Sequence, residues 1–332
     1  MTGATTDGAA PRAPAIEAHD LTRRFGHFTA VDHIDLSVAP GSIFGLLGAN
    51  GAGKSTTIRM LCGLLSSTGG NATVAGHNIN REPESVKRRI GYMSQEFSLY
   101  RDLTVAENIR FFGGVYGLRG ARLASRLEWV LEMAGLRGRE DQLTASLSGG
   151  WRQRLALGCA ILHEPPVVFL DEPTGGVDPV SRREFWNLIN DLADRGVTVL
   201  VTTHYLDEAE YCNQVSLMHA GRIVASGTPE ELKRDQIPYP VWTIATHRVT
   251  RAVEVLGRLP EVLETAIFGN TVHAVCADAA SPSETAARLE QALGGAGIEF
   301  GRITQTVPSL EDVFIHVIER HSSDGVASGG AP

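Results

Sequence analysis

Three runs of consecutive apolar residues stand out in the first two-thirds of the chain: Ile43-Phe44-Gly45-Leu46-Leu47, Val167-Val168-Phe169-Leu170 and Val197-Thr198-Val199-Leu200-Val201. Side chains alternate across a strand, so runs apolar at every position predict strands buried on both faces of a parallel sheet. Each run ends in Gly or polar residues, and in open α/β sheets ligands bind beyond the C-terminal strand ends. From about 15 to 235 such runs alternate with longer helical patterns, which predicts an α/β layer structure. The interval 103–163 holds no strand-like run and reads as a helical insertion, a subdomain spanning about 97–163.

A second pattern begins after Gln236-Ile237-Pro238-Tyr239-Pro240. It reads as strand 241–247, helix 249–258, strands 263–268 and 271–277, helix 282–294 and strand 298–305. The order β-α-β-β-α-β predicts a small ferredoxin-like α+β domain over 236–320. A last amphipathic helix follows Pro308 and is expected to end at Arg320. Residues 1–14 and 321–332 are small, polar and rich in Gly, Pro and Ser, and are expected to be disordered.

Composition narrows the class. The chain has 332 residues, 43% of them apolar, enough for two domains of ordinary size. Its net charge of −8 argues against broad nucleic-acid binding, and no nucleic-acid partner is expected. No apolar stretch approaches the ~18–20 residues of a membrane span, and the first fifteen residues lack the basic start and apolar block of a secretory signal. Cys62, Cys159, Cys212 and Cys276 are far apart and read as reduced, apolar thiols. Lysine is rare: only Lys54, Lys87 and Lys233.

Lys54 lies in Gly48-Ala49-Asn50-Gly51-Ala52-Gly53-Lys54-Ser55, the Gly-x4-Gly-Lys-Ser pattern, where a strand gives way to a helix. Glycines let successive N–H groups curl around β- and γ-phosphates, and the helix N-terminus adds positive partial charge. Lys54 can bridge phosphate oxygens, and the Ser55 hydroxyl can ligate Mg²⁺. The run Val167–Leu170 ends in Asp171-Glu172. Asp171 is placed to hold Mg²⁺ and Glu172 to orient a water for in-line attack on the γ-phosphorus, if the strand end turns both toward the ligand. Leu147-Ser148-Gly149-Gly150 leads into a helical pattern beginning Trp151-Arg152-Gln153. There Ser148 is expected to cap the helix, and the free N–H groups can meet an anion. A second phosphate site is redundant within one copy, but useful if it completes the site of another.

With these motifs the chain resembles the nucleotide-binding subunits of ABC transporters over about 15–235. GANGAGKST, GYMSQE, LSGGW, VVFLDEPTGGVD and TTHYLDEA occur in that family's order. The resemblance implies a P-loop NTPase fold of ABC type with a helical subdomain, and ATP and Mg²⁺ as ligands. It implies that Phe25 stacks on adenine and that Gln95 reaches Mg²⁺ and the attacking water. It implies that His204 contacts the γ-phosphate and that Asp178 crosses a dimer interface. Gly48, Asn50, Gly51, Ala52, Gly53, Lys54, Ser55 and Thr56 would hold the phosphates of one copy, with Ser148, Gly149 and Gly150 closing the site of the other. The catalytic set is Glu172, His204 and Gln95, and the metal set is Ser55, Gln95 and Asp171. Trp151 stands where many members carry Gln, and Gly175-Gly176-Val177 where Ser-Ala-Leu is frequent; both departures bear on signalling across the dimer.

The implied partners are a second copy and a separate transmembrane permease, which places the protein in the cytoplasm at the inner face of the membrane. Val307-Pro308-Ser309-Leu310-Glu311-Asp312-Val313-Phe314 resembles the closing helix of drug-export ATPases of the daunorubicin-resistance type. There Glu311 and Asp312 read as a solvated helix start favoured by the dipole. Five aromatics, Phe97, Tyr100, Phe111, Phe112 and Tyr116, place the coupling surface within 97–118, although any one of them reads more readily as packing the core of the helical subdomain. Arg88-Arg89 and Arg182-Arg183 read as solvated helix faces. The alternative is a soluble ABC-type ATPase acting on ribosomes, though such chains usually carry two nucleotide domains. No heptad run separates Lys54 from Leu147, against the coiled-coil repair ATPases, and a P-loop kinase would lack LSGG.

Overall fold

The computed structural model describes residues 13–96, 98–277 and 281–327, with side chains through His321. Residues 1–12 and 328–332 of the two expected disordered ends lie outside these, as does Phe97. The chain divides into two compact units, Met1–Ile223 and Val224–Pro332.

The first unit opens with a hairpin, β1 (Ile16–Phe25) and β2 (Phe28–Val38), followed by β3 (Ile43–Leu47) and α1 (Lys54–Leu61). Next come β4 (Gly69–Val74), β5 (His77–Asn78), α2 (Pro83–Arg89) and β6 (Ile90–Met93). The helical segment is α3 (Val105–Val115), α4 (Gly120–Met133) and α5 (Gly149–Ala160). The chain then returns through β7 (Val167–Asp171), α6 (Pro179–Asp194), β8 (Thr198–Thr203) and β9 (Gln214–His219). Two sheets result. An antiparallel one runs β2-β1-β4-β5, and a parallel one runs β9-β3-β8-β7-β6. The three apolar runs occupy its middle, and every residue of β3, β7 and β8 is buried.

Between β6 and β7 the three helices bury their own cluster, including Val105, Ile109, Val130, Leu131, Leu155 and Leu162. Full burial of each such side chain contributes about 1.5–3 kcal/mol. Helix α3 starts on a capping box: Thr104 Oγ1 accepts from Glu107 N, and Glu107 answers at Thr104 N. The fully buried Asn108 donates to Tyr100 O at 2.8 Å and Thr144 Oγ1 at 2.9 Å, pinning the loops on either side.

The second unit holds most of β10 (Arg222–Gly227), then α7 (Pro229–Gln236), β11 (Val241–Ala245), α8 (Val249–Leu256), β12 (Val262–Phe268) and β13 (Thr271–Cys276). It ends with α9 (Pro282–Gly295), β14 (Ile303–Thr306) and α10 (Leu310–Ala327). The sheet order β12-β13-β11-β14, antiparallel throughout, is the split β-α-β arrangement expected from the order of elements. The division between the units comes before α7 instead of after residue 235, because α7 packs against α10 and buries Leu232 there. Strand β14 starts at Ile303, not 298: Gly297 turns the chain at φ 66° and Ile298 plugs the core before pairing begins. Helix α10 runs on to Ala327, so 321–327 are helical and not part of a disordered tail.

Asp312 is not on a solvated face. It is 4% exposed, accepts from Ser309 N at 2.8 Å and from Ser309 Oγ at 2.7 Å, and lies 2.8 Å from His273 Nδ1. Ser309 Oγ in turn accepts from Asp312 N at 3.1 Å. This is a capping box with Asp at the third helical position, and it ties α10 to β13. One turn on, His316 Nδ1 meets Glu264 of β12 at 2.7 Å.

Candidate functional site

Strand β3 delivers the chain into the glycine loop, and the loop's shape depends on close backbone approach. A Cβ on Gly53, which has φ 111°, would lie 2.6 Å from Ala30 O; one on Gly48 would lie 2.2 Å from Met218 O. A Cβ on Gly51, at φ 82°, would meet nothing within 4 Å, so this glycine faces open space. That space is a cavity of ≈ 440 Å³ lined by Phe28, Ala30, Asn50, Gly51, Gly53, Lys54, Ser55, Thr56, Gln95 and Glu172. Lys54, only 4% exposed, donates to Gly48 O at 2.8 Å and Ala49 O at 3.2 Å and pairs with Glu172 Oε1 at 3.2 Å.

Of the acidic pair, Glu172 lines this cavity and reaches it by a strained turn, while Asp171 is absent from its wall. Asp171 remains in β7, where its Oδ1 accepts from Ser55 Oγ at 3.0 Å and from Thr202 Oγ1 at 2.8 Å. Glu172 then adopts φ 48°, a left-handed conformation that costs a non-glycine residue about 1–3 kcal/mol. Its N–H is held by Thr202 O at 3.1 Å and Thr202 Oγ1 at 3.0 Å. The turn points the carboxylate at Lys54, at Gln95 Nε2 (3.3 Å from Oε2) and at His204 Nδ1 (3.3 Å from Oε2). Three residues from three distant segments converge on one carboxylate. Behind α1, burial first and the Asp171 charge second push the Cys62 thiol well up, so it stays protonated and inert.

Other expected residues stand elsewhere. Phe25 does not line the cavity; its half-exposed ring carries the Arg23 guanidinium over one face at 4.5 Å, while Phe28 across the hairpin turn does line it. Ser148 occupies the N-cap position of α5, yet its side chain makes no cap hydrogen bond, contrary to the capping role expected of it. Gly149, Gly150 and Asp178 are likewise absent from the cavity wall. Asp178 caps α6 by accepting from Val180 N at 3.1 Å and Ser181 N at 3.0 Å; the Ser181 side chain first, and these backbone bonds after it, hold its carboxyl below the usual range. Ala52 is buried beneath the loop.

Three supporting residues were missed. Thr202 braces both acids; the sign of it is the Thr202-Thr203 pair that ends a strand whose middle is apolar. Gln153, fully buried on α5, donates to Pro173 O just past Glu172. Phe28 could have been found as the second aromatic of the hairpin.

The oxygen donors Ser55 Oγ and Asp171 Oδ1, 3.0 Å apart beside the glycine loop, suit a hard divalent cation. Among the described residues no cluster of three or more His, Cys, Asp or Glu could hold a metal alone. That fits Mg²⁺, which completes its shell with water and substrate phosphates instead of a protein cage. Fold and site together define a P-loop nucleotide-binding protein. The family described as ABC transporter matches residues 31–175. A "Probable multidrug ABC transporter ATP-binding protein YbhF" of Escherichia coli (strain K12) is 50% identical over 240 residues, 71% of this chain and 41% of that relative's length. The "Daunorubicin resistance ATP-binding protein DrrA2" of Streptomyces coeruleorubidus is 37% identical over 98% of this chain and 100% of its own. A dimeric post-hydrolysis ATP-binding cassette bound to ADP and Pi superposes with TM-score 0.59 at 25% identity, covering 64% of this chain and 98% of that one. The chain belongs to the ATP-binding proteins of the ABC transporter family.

Proposed function

We propose that the chain hydrolyses MgATP as one half of a two-copy sandwich and so drives a separate transmembrane permease in export of drugs or other small molecules. The observation that carries this reading is the Glu172 carboxylate, held over the glycine loop by Lys54, Gln95 and His204 at 3.2–3.3 Å. The Lys54 ammonium has Glu172 as its carboxylate partner and would exchange it for phosphate oxygens, freeing Glu172 to accept a proton from an attacking water. That water forms a bond to the γ-phosphorus as the bond to the bridging oxygen of ADP breaks. His204 and Gln95 orient Glu172 and the water. Mg²⁺, held by Ser55 and Asp171 and reached by Gln95, would neutralise charge on the phosphate oxygens.

Two features support the sandwich. Ser148, Gly149, Gly150 and Asp178 do not line their own chain's cavity, and a helix N-terminus without a side-chain cap suits an anion brought by another copy. Export is supported by what the relatives are named for. No helix among the described residues is long and apolar enough to cross a membrane, so the pore would belong to a partner at the inner membrane face. The expected coupling stretch divides: Tyr100 and Phe111 are exposed, with rings 4.6 Å apart in edge contact. Phe112 and Tyr116 pack into the helical core. Tyr100 and Phe111, beside the exposed Val115, are the candidate docking points.

The test has two arms. Glu172→Gln should bind MgATP and run as a dimer on a sizing column only with nucleotide present; a monomer under those conditions overturns the sandwich. Wild-type chain expressed with a six-span membrane protein encoded by an adjacent gene should co-purify with it, whereas stable association with ribosomes would favour the non-transport alternative.

A further inference from the structure

We propose that Arg182 is a positioning residue for His204, and that it links the start of α6 to the turn carrying that histidine. The inference rests on the hydrolytic reading above. Arg182 lies in the first turns of α6, four residues past the Asp178 cap. The sequence suggested a solvated guanidinium, but here it is mostly covered. Its plane sits over the Tyr205 ring, 3.9 Å from the centroid. Its Nε is 3.5 Å from Glu208 Oε1 and its Nη1 is 3.7 Å from Asp207 Oδ2. Tyr205 in turn has its ring 4.2 Å from that of His204, which meets Glu172 at 3.3 Å. Contacts therefore run unbroken from α6 to the carboxylate over the nucleotide cavity.

Glu208 makes the arrangement more than incidental packing. It is 0% exposed, and neither of its carboxylate oxygens accepts a hydrogen bond among the described residues. A buried carboxylate without hydrogen bonds is costly, and among the described residues the cation paired with it is Arg182. Arg182 Nε is likewise buried without a hydrogen bond. One turn along the same face of α6, buried Trp186 stacks on Tyr211 at 5.0 Å. Positions four apart on a helix share a face, so Arg182 and Trp186 grip both ends of the 205–211 turn. The residue before Arg182 adds a second link: Ser181 packs so closely on Gly150 that a Cβ there would lie 2.7 Å from Ser181 Oγ. The same turn of α6 thus touches the signature glycines of α5 and, through Arg182, the histidine turn.

The flat guanidinium does two separable jobs: it offsets the Glu208 charge, and it fixes the Tyr205 ring and with it the His204 ring. Lysine performs the first and not the second. The experiment measures ATP turnover, ATP KM and thermal midpoint for wild type, Glu172→Gln, Arg182→Lys, Arg182→Met and the double variant Arg182→Met/Glu208→Gln, all in the full chain. Arg182→Met should lower the midpoint, and Arg182→Lys and the double variant should restore it. Both restored proteins should keep kcat about 10-fold or more below wild type, because small misplacement of a catalytic group is costly. Their KM for ATP should stay within about 2-fold. Wild-type kcat in either restored protein, or a loss confined to KM, overturns the positioning role while leaving hydrolysis by Glu172 intact. Absence of turnover in wild type, or full turnover in Glu172→Gln, overturns the hydrolytic reading and this inference with it.

Discussion

The nucleotide cleft and the anchor of α10 both bury carboxylates beside histidines, and they use them in opposite ways. In the cleft, Glu172 is held by Lys54, Gln95 and His204, which on the proposed reading exchange it for a phosphate or a water. Its backbone is strained at φ 48°, and that strain is carried by Thr202 and the rigid strands behind it. At the anchor, Asp312 is saturated by Ser309 and His273, groups of its own unit. The first arrangement can exchange partners; the second can only hold or break. A buried acid next to a histidine is therefore no sign of catalysis until its partners prove replaceable.

The largest expected effect falls on the exchangeable acid. Glu172→Gln should reduce kcat by about 10²-fold or more, the scale of a lost general base, while nucleotide affinity survives. If its turnover stays within a few-fold of wild type, the cleft is no more catalytic than the anchor. Next comes the brace: Thr202→Val removes the donor to Asp171 and one acceptor for the Glu172 N–H. Each group keeps one other partner, Ser55 Oγ for Asp171 and Thr202 O for the Glu172 N–H, so the two lost bonds at about 0.5–1.5 kcal/mol each should destabilise the first unit by about 1–3 kcal/mol, read from denaturant unfolding, and lower kcat without touching the second unit.

Asp312→Asn should reverse that pattern, lowering stability of the second unit by about 1 kcal/mol through the weakened capping box, with ATP turnover unchanged. Its pH signature is specific. Burial alone would raise the Asp312 carboxyl, but bonds from His273 and Ser309 outweigh it and hold the group below its ordinary 3.8. A lowered folded value contributes stability above the unfolded pKa and loses it as pH falls through the folded one. The gap between wild type and Asp312→Asn should thus be full near neutrality and shrink below about pH 3.8; a gap independent of pH would rule out the ionised cap. Smallest is the aromatic comparison. Phe28→Ala should raise ATP KM several-fold, about the worth of one ring stack, and Phe25→Ala less. The reverse order would favour Phe25 for the adenine contact.

Much of this was legible in the sequence because local rules carried it. Doubly apolar runs found β3, β7 and β8 almost to the residue, and the order of elements anticipated the second unit's sheet. Where a side chain's surroundings were misread, a distant partner was the cause. The Asp312 side chain looked like an exposed helix start because His273 lies far away in sequence. Arg182 looked solvated because Glu208 and Tyr205 come from another segment.

What the sequence alone determined was the inventory: a glycine loop, an acidic strand end, a signature turn and a lone histidine, each fixed by short-range spacing and backbone stereochemistry. Only the tertiary structure decided which of them meet. Parallel strands from separate stretches set Lys54, Gln95 and His204 around Glu172 and left Ser148 and Asp178 outside, because register and strand order, unlike motifs, depend on packing across the whole sheet.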